Sequence, residues 1–219
     1  MACPIRARSD RDRFPVELNE AVRRRRMVRA FSARPVAPGL VDELIDLARR
    51  APSAGNTRPW AFVVLEGPDT ARLWDVTLPA ERRATFRWPG LVAAPVVIVP
   101  LVEPAAYPRR YAEDDKAGTG LGSDVEEWAV PYWWVDGGMA VQTLLLAATG
   151  AGLGALFYGL FEHEAAALDV LGVPAGWRAL GAVALGWPAD EPGPPGRSAA
   201  RPAPPRAAVV HRGRWHRQA

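Results

Sequence analysis

The sequence predicts an α+β domain built around one central sheet. Apolar segments with helical period alternate with short apolar runs, but without the regular strand–helix rhythm of a doubly wound parallel sheet. The chain has 219 residues and is 49% hydrophobic, which is enough for one sizeable core. We therefore expect a single domain over residues 1–219, with a loose amino terminus at residues 1–14 and a mixed or antiparallel sheet flanked by helices.

The first half of the chain contains the clearest helix. Leu40, Leu44 and Ala48 recur at helical spacing, and Pro52 ends that helix. A strand follows further along in PVVIVPLVE, which we expect Pro100 to bend or to place at a sheet edge. The other predicted elements here are a helix at residues 16–29, a short buried strand at residues 60–65 and a helix at residues 69–77.

The second half opens with residues 104–134, a segment with no clean period that we interpret as a variable lid or substrate segment. The stretch VDGGMAVQTLLLAATG is apolar nearly all round and predicts a buried helix. LFYGLFEHEAAALDVLG then predicts a strand, a turn and a helix, and RALGAVALGWP another buried strand. Residues 188–219 form an extended carboxy-terminal arm that needs another surface to lie on.

Composition argues against several classes of protein. The net charge is only +3, and the arginines are interspersed with acids and lack a recognition motif, so we expect no nucleic-acid partner. The single cysteine, Cys3, can form neither an internal disulfide nor a zinc site. The start lacks the apolar core of a secretory signal, and no window predicts a membrane span. We expect a cytoplasmic protein without a metal or a membrane partner.

Side-chain catalytic motifs are scarce. His163 lies near a helix start, where surface capping is its simplest interpretation. No G-x-S-x-G motif, Cys–His arrangement or metal cluster is present. The glycine-rich stretches GTGLGS and GAGLG do not have the strand-to-helix context of a phosphate loop. A protein of this kind can still be an enzyme if a cofactor carries the reaction.

Two motifs predict a site for an anionic, planar ligand. In RRRRMVRAF, Arg25 and Arg29 are four residues apart in the predicted first helix, where like charges repel unless an anion offsets them. Guanidinium groups suit phosphate, although a solvated basic face explains the spacing equally well. The polar turn SAGNT, residues 53–57, offers short donors and acceptors before Trp60; a turn that binds nothing is the alternative.

Together RRRRMVRAF and APSAGNTRPWAFVV resemble the amino-terminal signature of the nitroreductase family of flavoproteins. Its usual pattern is Arg-x-Ser-x-Arg-x-Phe, a helix, then Ala-Pro-Ser-x-x-Asn-x-Gln-Pro-Trp and a strand. The likeness extends through AVQTLLLAATGAGLGA, FYGLF and VVHRGRW, and so covers most of the chain.

The resemblance implies an obligate homodimer that holds FMN in two clefts at the subunit interface, with the carboxy-terminal arm wrapped around the partner. It also implies ping-pong chemistry in which NADH or NADPH reduces the flavin and the flavin reduces a nitroaromatic, quinone or similar conjugated acceptor. Arg25 and Arg26 would contact the phosphate and ribityl end, and Arg29 the pyrimidine edge, where reduction builds negative charge. The remaining implied contacts are Pro52, Ser53 and Asn56 from the partner subunit, Tyr158 and Gly159 near flavin N5, and Arg201 or Arg197 at the phosphate.

Two positions depart from the family pattern. Met27 replaces the usual Ser, and Arg58 replaces the usual Gln before Pro-Trp. Four aromatic residues of the variable segment either line the acceptor pocket or pack in the core or at the subunit seam. These are Trp128, Tyr132, Trp133 and Trp134.

Three other functions remain open from the sequence. A relative with different flavin chemistry, such as a dimethylbenzimidazole synthase or a dehalogenase, would share the fold. A non-catalytic flavin-binding protein would be yellow without oxidising nicotinamide. A nucleic-acid-binding protein would show steeply salt-dependent binding.

Overall fold

A computed structural model describes residues 16–215 and shows a five-stranded antiparallel sheet between two layers of helices. The predicted loose terminus at residues 1–14, together with Cys3, lies outside the described residues. The strand order is β1-β2-β5-β3, with β4 paired to β2, and the predicted α+β class is confirmed. The strands are β1 (Trp60–Glu66), β2 (Val96–Val102), β3 (Gly154–Tyr158), β4 (Arg178–Ala179) and β5 (Ala182–Gly186). The helices are α1 (Leu18–Arg24), α2 (Pro38–Ala48), α3 (Thr70–Thr77), α4 (Ala80–Arg83), α5 (Ala106–Tyr111), α6 (Tyr132–Gly150), α7 (Glu164–Val170) and α8 (Arg206–Val209).

Strand β2 lies in the middle of the sheet and is buried along its whole length. Because successive side chains of a strand point to opposite faces, its apolar run is covered on both sides. Val96 and Ile98 join the core formed with α2 and α6, whereas Val97 and Val99 join the core formed with α3 and α7. The unbroken apolar sequence of β2 follows from this two-sided burial.

Helices α2 and α6 pack together on one face of the sheet. Leu44 and Ala48 of α2, and Leu144 and Ala148 of α6, are all fully buried in one cluster. The predicted helical periodicity of α2 is therefore confirmed. Helix α6 buries one face, whereas Val135, Gly138 and Gln142 on the opposite face are exposed in the single chain, so its predicted burial holds for one side only.

The first helix is shorter than predicted. Helix α1 ends at Arg24, and Arg25 leaves it with ψ 121°, so Arg25 and Arg29 do not share a helical face. The N–H of Val28 donates to the carbonyl oxygen of Ala155 at 3.0 Å, and Met27 pairs with the same residue. Arginine favours helix on its own, but here pairing with the edge of β3 determines the conformation.

Pro100 neither bends the strand out of the sheet nor lies at an edge, so this prediction was wrong. Its carbonyl oxygen accepts the N–H of Leu180 at 3.0 Å, so the side of Pro100 without an N–H faces the junction of β4 and β5. The register there shifts by one residue, because Leu101 pairs with Ala179 whereas Ile98 pairs with Val183. Proline is tolerated at such a bulge because no ladder hydrogen bond is lost.

One further prediction needs correction. Strand β1 is an edge strand with β2 as its neighbour, and most of its residues are only half-buried rather than fully buried. Residues 104–134 contain α5 and single 3₁₀ turns at Ala117–Thr119 and Val125–Glu127, followed by the start of α6, and their role as a lid or substrate segment stays a prediction. Within the part of the chain that the structure describes, no helix has both the length and the apolar content to cross a bilayer.

Gly181 is the residue that makes the bulge between β4 and β5 sterically possible. Its φ is +143°, and a methyl group there would overlap the carbonyl oxygen of Tyr158 and lie 2.8 Å from the Phe157 ring. We expect Gly181→Ala to lower the free energy of unfolding by about 2 kcal/mol or more, from strain and overpacking. Gly172→Ala is the control: its φ is +65° with open space around it, and it should cost about 1 kcal/mol. Equal losses in urea denaturation would contradict this account of the bulge.

Candidate functional site

Arg29, Tyr158 and Gly159, which the sequence places far apart, line one cavity of about 410 Å³ at the end of β3. The cavity wall is largely aromatic and apolar. Such a wall around a cationic group suits a planar ligand that carries negative charge or develops it. The aromatic residues that line it are Trp74, Phe86, Trp88, Phe157, Tyr158 and Phe161, and Glu162 and His163 line it as well.

The guanidinium of Arg29 is held beside this cavity by two contacts. Its Nη1 donates to the carbonyl oxygen of Met27 at 3.1 Å, and its central carbon lies 5.5 Å from the centre of the Trp88 ring. Within residues 16–215, no carboxylate pairs with Arg29. The side chain therefore presents positive charge on an aromatic support, with most of its donors free.

Arg25 and Arg26 differ in what their guanidinium groups contact. Nη1 of Arg25 is buried and has no hydrogen-bond acceptor among the described residues, which is costly for a charged donor. Nη1 of Arg26 donates to the carbonyl oxygens of Arg23 and Arg25 at 2.7 and 2.9 Å, so this residue closes the end of α1. An anion near Arg25 would satisfy a donor that the chain itself leaves unpaired.

Tyr158 contributes its backbone rather than its phenol. The ring stacks on Trp74 with ring centres 5.7 Å apart and planes 8° apart, and burial raises the pKa of the Tyr158 hydroxyl. This hydroxyl stays neutral and is buried away from solvent. At this end of β3, the backbone of Tyr158 and Gly159 is the part that a ligand could approach.

The polar turn after α2 has an unusual backbone conformation. Gly55, Asn56 and Arg58 have φ values of +60°, +56° and +52°. The Oγ of Ser53 accepts the N–H of Arg58 at 2.9 Å, and Oδ1 of Asn56 accepts from Nε of Arg58 at the same distance. Strained turns that are fixed by their own side chains are typical of binding sites.

Within one chain this turn does not share the cavity of Arg29. Pro52 and Asn56 line a separate cavity of about 880 Å³, which Arg49, Arg50 and Arg58 also line. The structure thus brings Arg29 together with Tyr158 and Gly159, and leaves Pro52 and Asn56 elsewhere.

Asp136 is the residue that fixes the position of the turn. It is 1% exposed, near the start of α6, and Oδ2 accepts the backbone N–H of Ala54 at 2.7 Å and the hydroxyl of Tyr107. Burial, followed by this hydrogen bond to Asp136, raises the pKa of Tyr107, so Tyr107 remains a donor. A buried carboxylate with two donors stabilises one geometry of the turn.

The variable segment supports the turn from a second side. Nε of Arg110 donates to the carbonyl oxygen of Gly55 at 2.8 Å, while its two terminal nitrogens bind Asp115 at 2.6 and 2.7 Å. The ring of Tyr111 lies against Gly55, where a Cβ would be 2.7 Å from the ring. Gly55 is therefore required both by its backbone conformation and by this close approach.

The four aromatic residues predicted for the acceptor pocket gather mainly around Tyr107. Trp128 is 8% exposed and packs edge-on against Tyr107 and Tyr111, and Trp133 also packs against Tyr107. Tyr132 contacts Trp128, whereas Trp134 lies beside Arg178. Their positions favour the packing alternative, and a role in acceptor binding stays a prediction.

The carboxy-terminal arm begins alongside the arginine segment of its own chain. The N–H of Ala189 donates to the carbonyl oxygen of Ala30 at 3.0 Å, and Nε1 of Trp88 donates to that of Pro194 at 3.0 Å. Arg197 and Arg201 are exposed. Whether the arm wraps around a partner, and which of these arginines meets a phosphate, stay predictions.

Comparison with known proteins agrees with this architecture. The family model described as the nitroreductase family matches residues 22–187. A protein named NADH dehydrogenase from Thermus thermophilus is 30% identical over 194 residues, covering 80% of this chain and 89% of its own. A 5,6-dimethylbenzimidazole synthase from Rhodospirillum rubrum is 32% identical over 185 residues, covering 76% and 80%. The crystal structure of a nitroreductase family protein from Streptococcus pneumoniae superposes with TM-score 0.69 at 20% identity, covering 89% and 99%.

The chain belongs to the nitroreductase family. The resemblance seen in its two amino-terminal motifs is confirmed, and so is the nitroreductase-like fold. As a member of this family the protein is an oxidoreductase.

The two departures from the nitroreductase pattern have structural explanations. Met27 pairs with Ala155 and packs against both core clusters, so its side chain supplies apolar packing where the usual Ser supplies a hydroxyl. Arg58 holds Asn56 and so replaces the usual Gln as part of the turn's internal hydrogen bonding.

Sequence reasoning missed Asp136, Tyr107 and Arg110 as residues of this nitroreductase site. One signal was available for Asp136, since a lone carboxylate in an otherwise apolar helix needs partners wherever it is buried. No comparable signal marks Tyr107 or Arg110. Tyr107 donates to Asp136 and Arg110 to Gly55, and both acceptors lie far away in sequence.

The role of Asp136 can be tested by removing its carboxylate. We expect Asp136→Ala to lower the free energy of unfolding by about 3 kcal/mol, because the Ala54 N–H and the Tyr107 hydroxyl lose their acceptor inside the protein. Hydrogen exchange should show a loss of protection at the Ala54 amide. The control is Asp46→Ala, whose exposed ion pair with Arg49 contributes little. An Asp136→Ala protein that retains this amide protection would contradict the assignment.

Proposed function

We propose that the protein is an FMN-dependent oxidoreductase. It passes hydride from NADH or NADPH to nitroaromatic, quinone or similar conjugated acceptors, and the donor and acceptor bind in alternation, as in ping-pong chemistry. The observation that carries this proposal is the shared cavity of Arg29 and the Tyr158–Gly159 backbone, with its aromatic wall. The family match and the names of the relatives support the same reaction class.

The residues present fit FMN at its anionic groups. The buried, unpaired Nη1 of Arg25 is a ready donor for a phosphate oxygen, and the exposed guanidinium of Arg26 is its neighbour. Arg29, held by Met27 and Trp88, is suited to the pyrimidine edge. FMN, when bound, supplies the two-electron hydride chemistry that no side chain of this site provides.

Stabilisation of charge is the main chemical task assigned to this chain. A fixed cation at the pyrimidine edge lowers the free energy of a reduced, negatively charged ring more than that of the oxidised ring. The backbone N–H groups near Gly159 can act as neutral donors at the reacting end. Burial raises the pKa of the Tyr158 hydroxyl, so Tyr158 brings no negative charge there. The aromatic wall around them offers an apolar surface for a planar ring.

A second copy of the chain completes the site in this proposal. Leu18 and Val22 lie four residues apart on α1 and are 67% and 55% exposed, as expected for residues that a partner covers. The partner contributes Pro52, Ser53 and Asn56 of its own turn; within one chain, Pro52 and Asn56 line a cavity separate from that of Arg29. Arg201, or else Arg197, reaches the phosphate from the arm.

A second candidate function is favoured by one comparison. The relative from Rhodospirillum rubrum named as a 5,6-dimethylbenzimidazole synthase is 32% identical over most of both chains. A synthase of that kind consumes its flavin, whereas the proposed reductase recycles it. Sustained oxidation of NADH or NADPH in the presence of a nitroaromatic or a quinone, with the flavin spectrum unchanged afterwards, separates the two functions.

The proposed cofactor contacts predict the behaviour of a double variant. Arg25→Ala combined with Arg29→Ala should bind FMN at least about tenfold more weakly, because each charge-assisted hydrogen bond contributes about 1.5 kcal/mol or more. The protein should still fold, and the ratio of flavin to protein absorbance after purification measures the loss. Arg72→Ala combined with Arg109→Ala removes two exposed, ion-paired arginines and is the matched control. Full flavin occupancy in the first variant would contradict the assignment.

A further inference from the structure

Phe161 is a large apolar residue in an unexpected position. It follows Gly159 by two residues, at the start of the 3₁₀ turn Phe161–His163, and its side chain is 82% exposed. A core role is therefore excluded within the single chain. Isolated exposed apolar residues are common on protein surfaces, so the exposure alone assigns no function.

The backbone of Phe161 is strained. Its φ is +47°, in the left-handed region that a bulky side chain rarely adopts. Among residues 16–215, the other non-glycine residues with positive φ are Asn56 and Arg58, and both belong to the turn assigned to the cofactor. Such strain persists only where the surrounding structure enforces it, and it concentrates at functional sites.

Hydrogen bonds hold the residues that follow Phe161. Glu164, directly after the 3₁₀ turn, accepts two hydrogen bonds from Arg178 at 2.8 and 3.0 Å and one from the N–H of Ala179 at 3.0 Å. The N–H of His163 donates to the carbonyl oxygen of Leu160 at 2.9 Å. Phe161 thus lies between the end of β3 and Glu164, which is hydrogen-bonded to both residues of β4.

The ring of Phe161 lies over Gly159. A Cβ placed on Gly159 would be 2.7 Å from Cζ of Phe161, and the ring also lines the cavity that contains Arg29. The exposed aromatic face therefore borders the point where the backbone of Gly159 meets the cavity.

We propose that the ring of Phe161 is the stacking surface for the aromatic ring of the acceptor, which makes Phe161 a specificity-determining residue. The inference rests on the proposed function and narrows its acceptors to planar aromatic compounds that lie against this ring. Offset stacking favours an aromatic ring over a saturated ring of the same size. The left-handed backbone is retained because it directs the ring over Gly159, where glycine or asparagine would fit with less strain but offer no such surface.

Four variants of Phe161 separate stacking of the acceptor ring from a contact with the flavin or with a partner subunit. Phe161→Leu keeps an apolar side chain but removes the ring, and Phe161→Tyr keeps the ring and is its control. Phe161→Gly and Phe161→Ala both remove the ring and differ in how well they tolerate a positive φ. Because the φ of Phe161 is +47°, the Gly variant should unfold at a temperature about 2–4 °C above that of the Ala variant.

Turnover measures the effect on the acceptor. With saturating NADH or NADPH, Phe161→Leu should raise KM for nitrobenzene roughly two- to tenfold, while Phe161→Tyr stays close to the unmodified protein. Reduction of ferricyanide, which has no ring to stack, should fall less than reduction of nitrobenzene, and the bound flavin content is measured in parallel because Phe161 also lines the cavity of Arg29. A parallel loss with ferricyanide, a loss of flavin or a change in oligomeric state would overturn the proposal in favour of a flavin or interface contact.

Calorimetric binding tests the same inference without turnover. The unmodified protein should bind nitrobenzene more tightly than nitrocyclohexane, and Phe161→Leu should abolish that preference. An unchanged preference would overturn the role of Phe161. If the unmodified protein oxidises no reduced nicotinamide with either oxidant, the proposed function fails, and the calorimetric result still decides whether Phe161 is an aromatic binding surface.

Discussion

Pairing of the arginine segment with the edge of β3 is the constraint on which the site depends. The Val28 N–H bonds to the carbonyl oxygen of Ala155, and Gly154 leaves room for the Val28 side chain, since a Cβ there would lie 2.9 Å from it. This pairing ends α1 and runs the chain extended along the sheet. Arg29 consequently lies at the cavity of Tyr158 and Gly159, rather than one turn along a solvated helix.

The buried carboxylate of Asp136 fixes the position of the polar turn, residues 53–57, as strand pairing fixes the position of the arginine segment. Asp136 bonds to the backbone N–H of Ala54, 82 residues away in sequence, and to Tyr107, so helix α6 and the variable segment both fix the turn. The glycine, asparagine and arginine of the turn can then hold left-handed conformations that would otherwise relax. Phe161 shows the same strain at the other part of the site. Rigid supports around strained residues are the physical feature that these parts share.

The sequence predicted those helices and strands whose apolar pattern reflects their burial. Helix α2 shows its period in Leu44 and Ala48, and β2 is apolar on both faces because both are covered. Helix α6 is apolar nearly all round although the single chain buries only one of its faces. The sequence could not show where α1 ends or why Pro100 is tolerated, because both depend on strands distant in the chain. The arginines and the polar turn were recognisable as motifs. Their support by Asp136 and the strain of Phe161 were not, since tertiary contacts create both.

The central claim is that one subunit supplies the arginines and its partner supplies the turn. Mixed dimers test this most directly, with Arg25→Ala and Arg29→Ala in one subunit and Asn56→Gly in the other; glycine suits the φ of +56° at that position. Each parent homodimer should lack most of its flavin. A site shared across subunits predicts that the mixed dimer recovers flavin in one of its two sites, because that site has intact arginines and an intact turn. A mixed dimer as poor in flavin as its parents would contradict the claim.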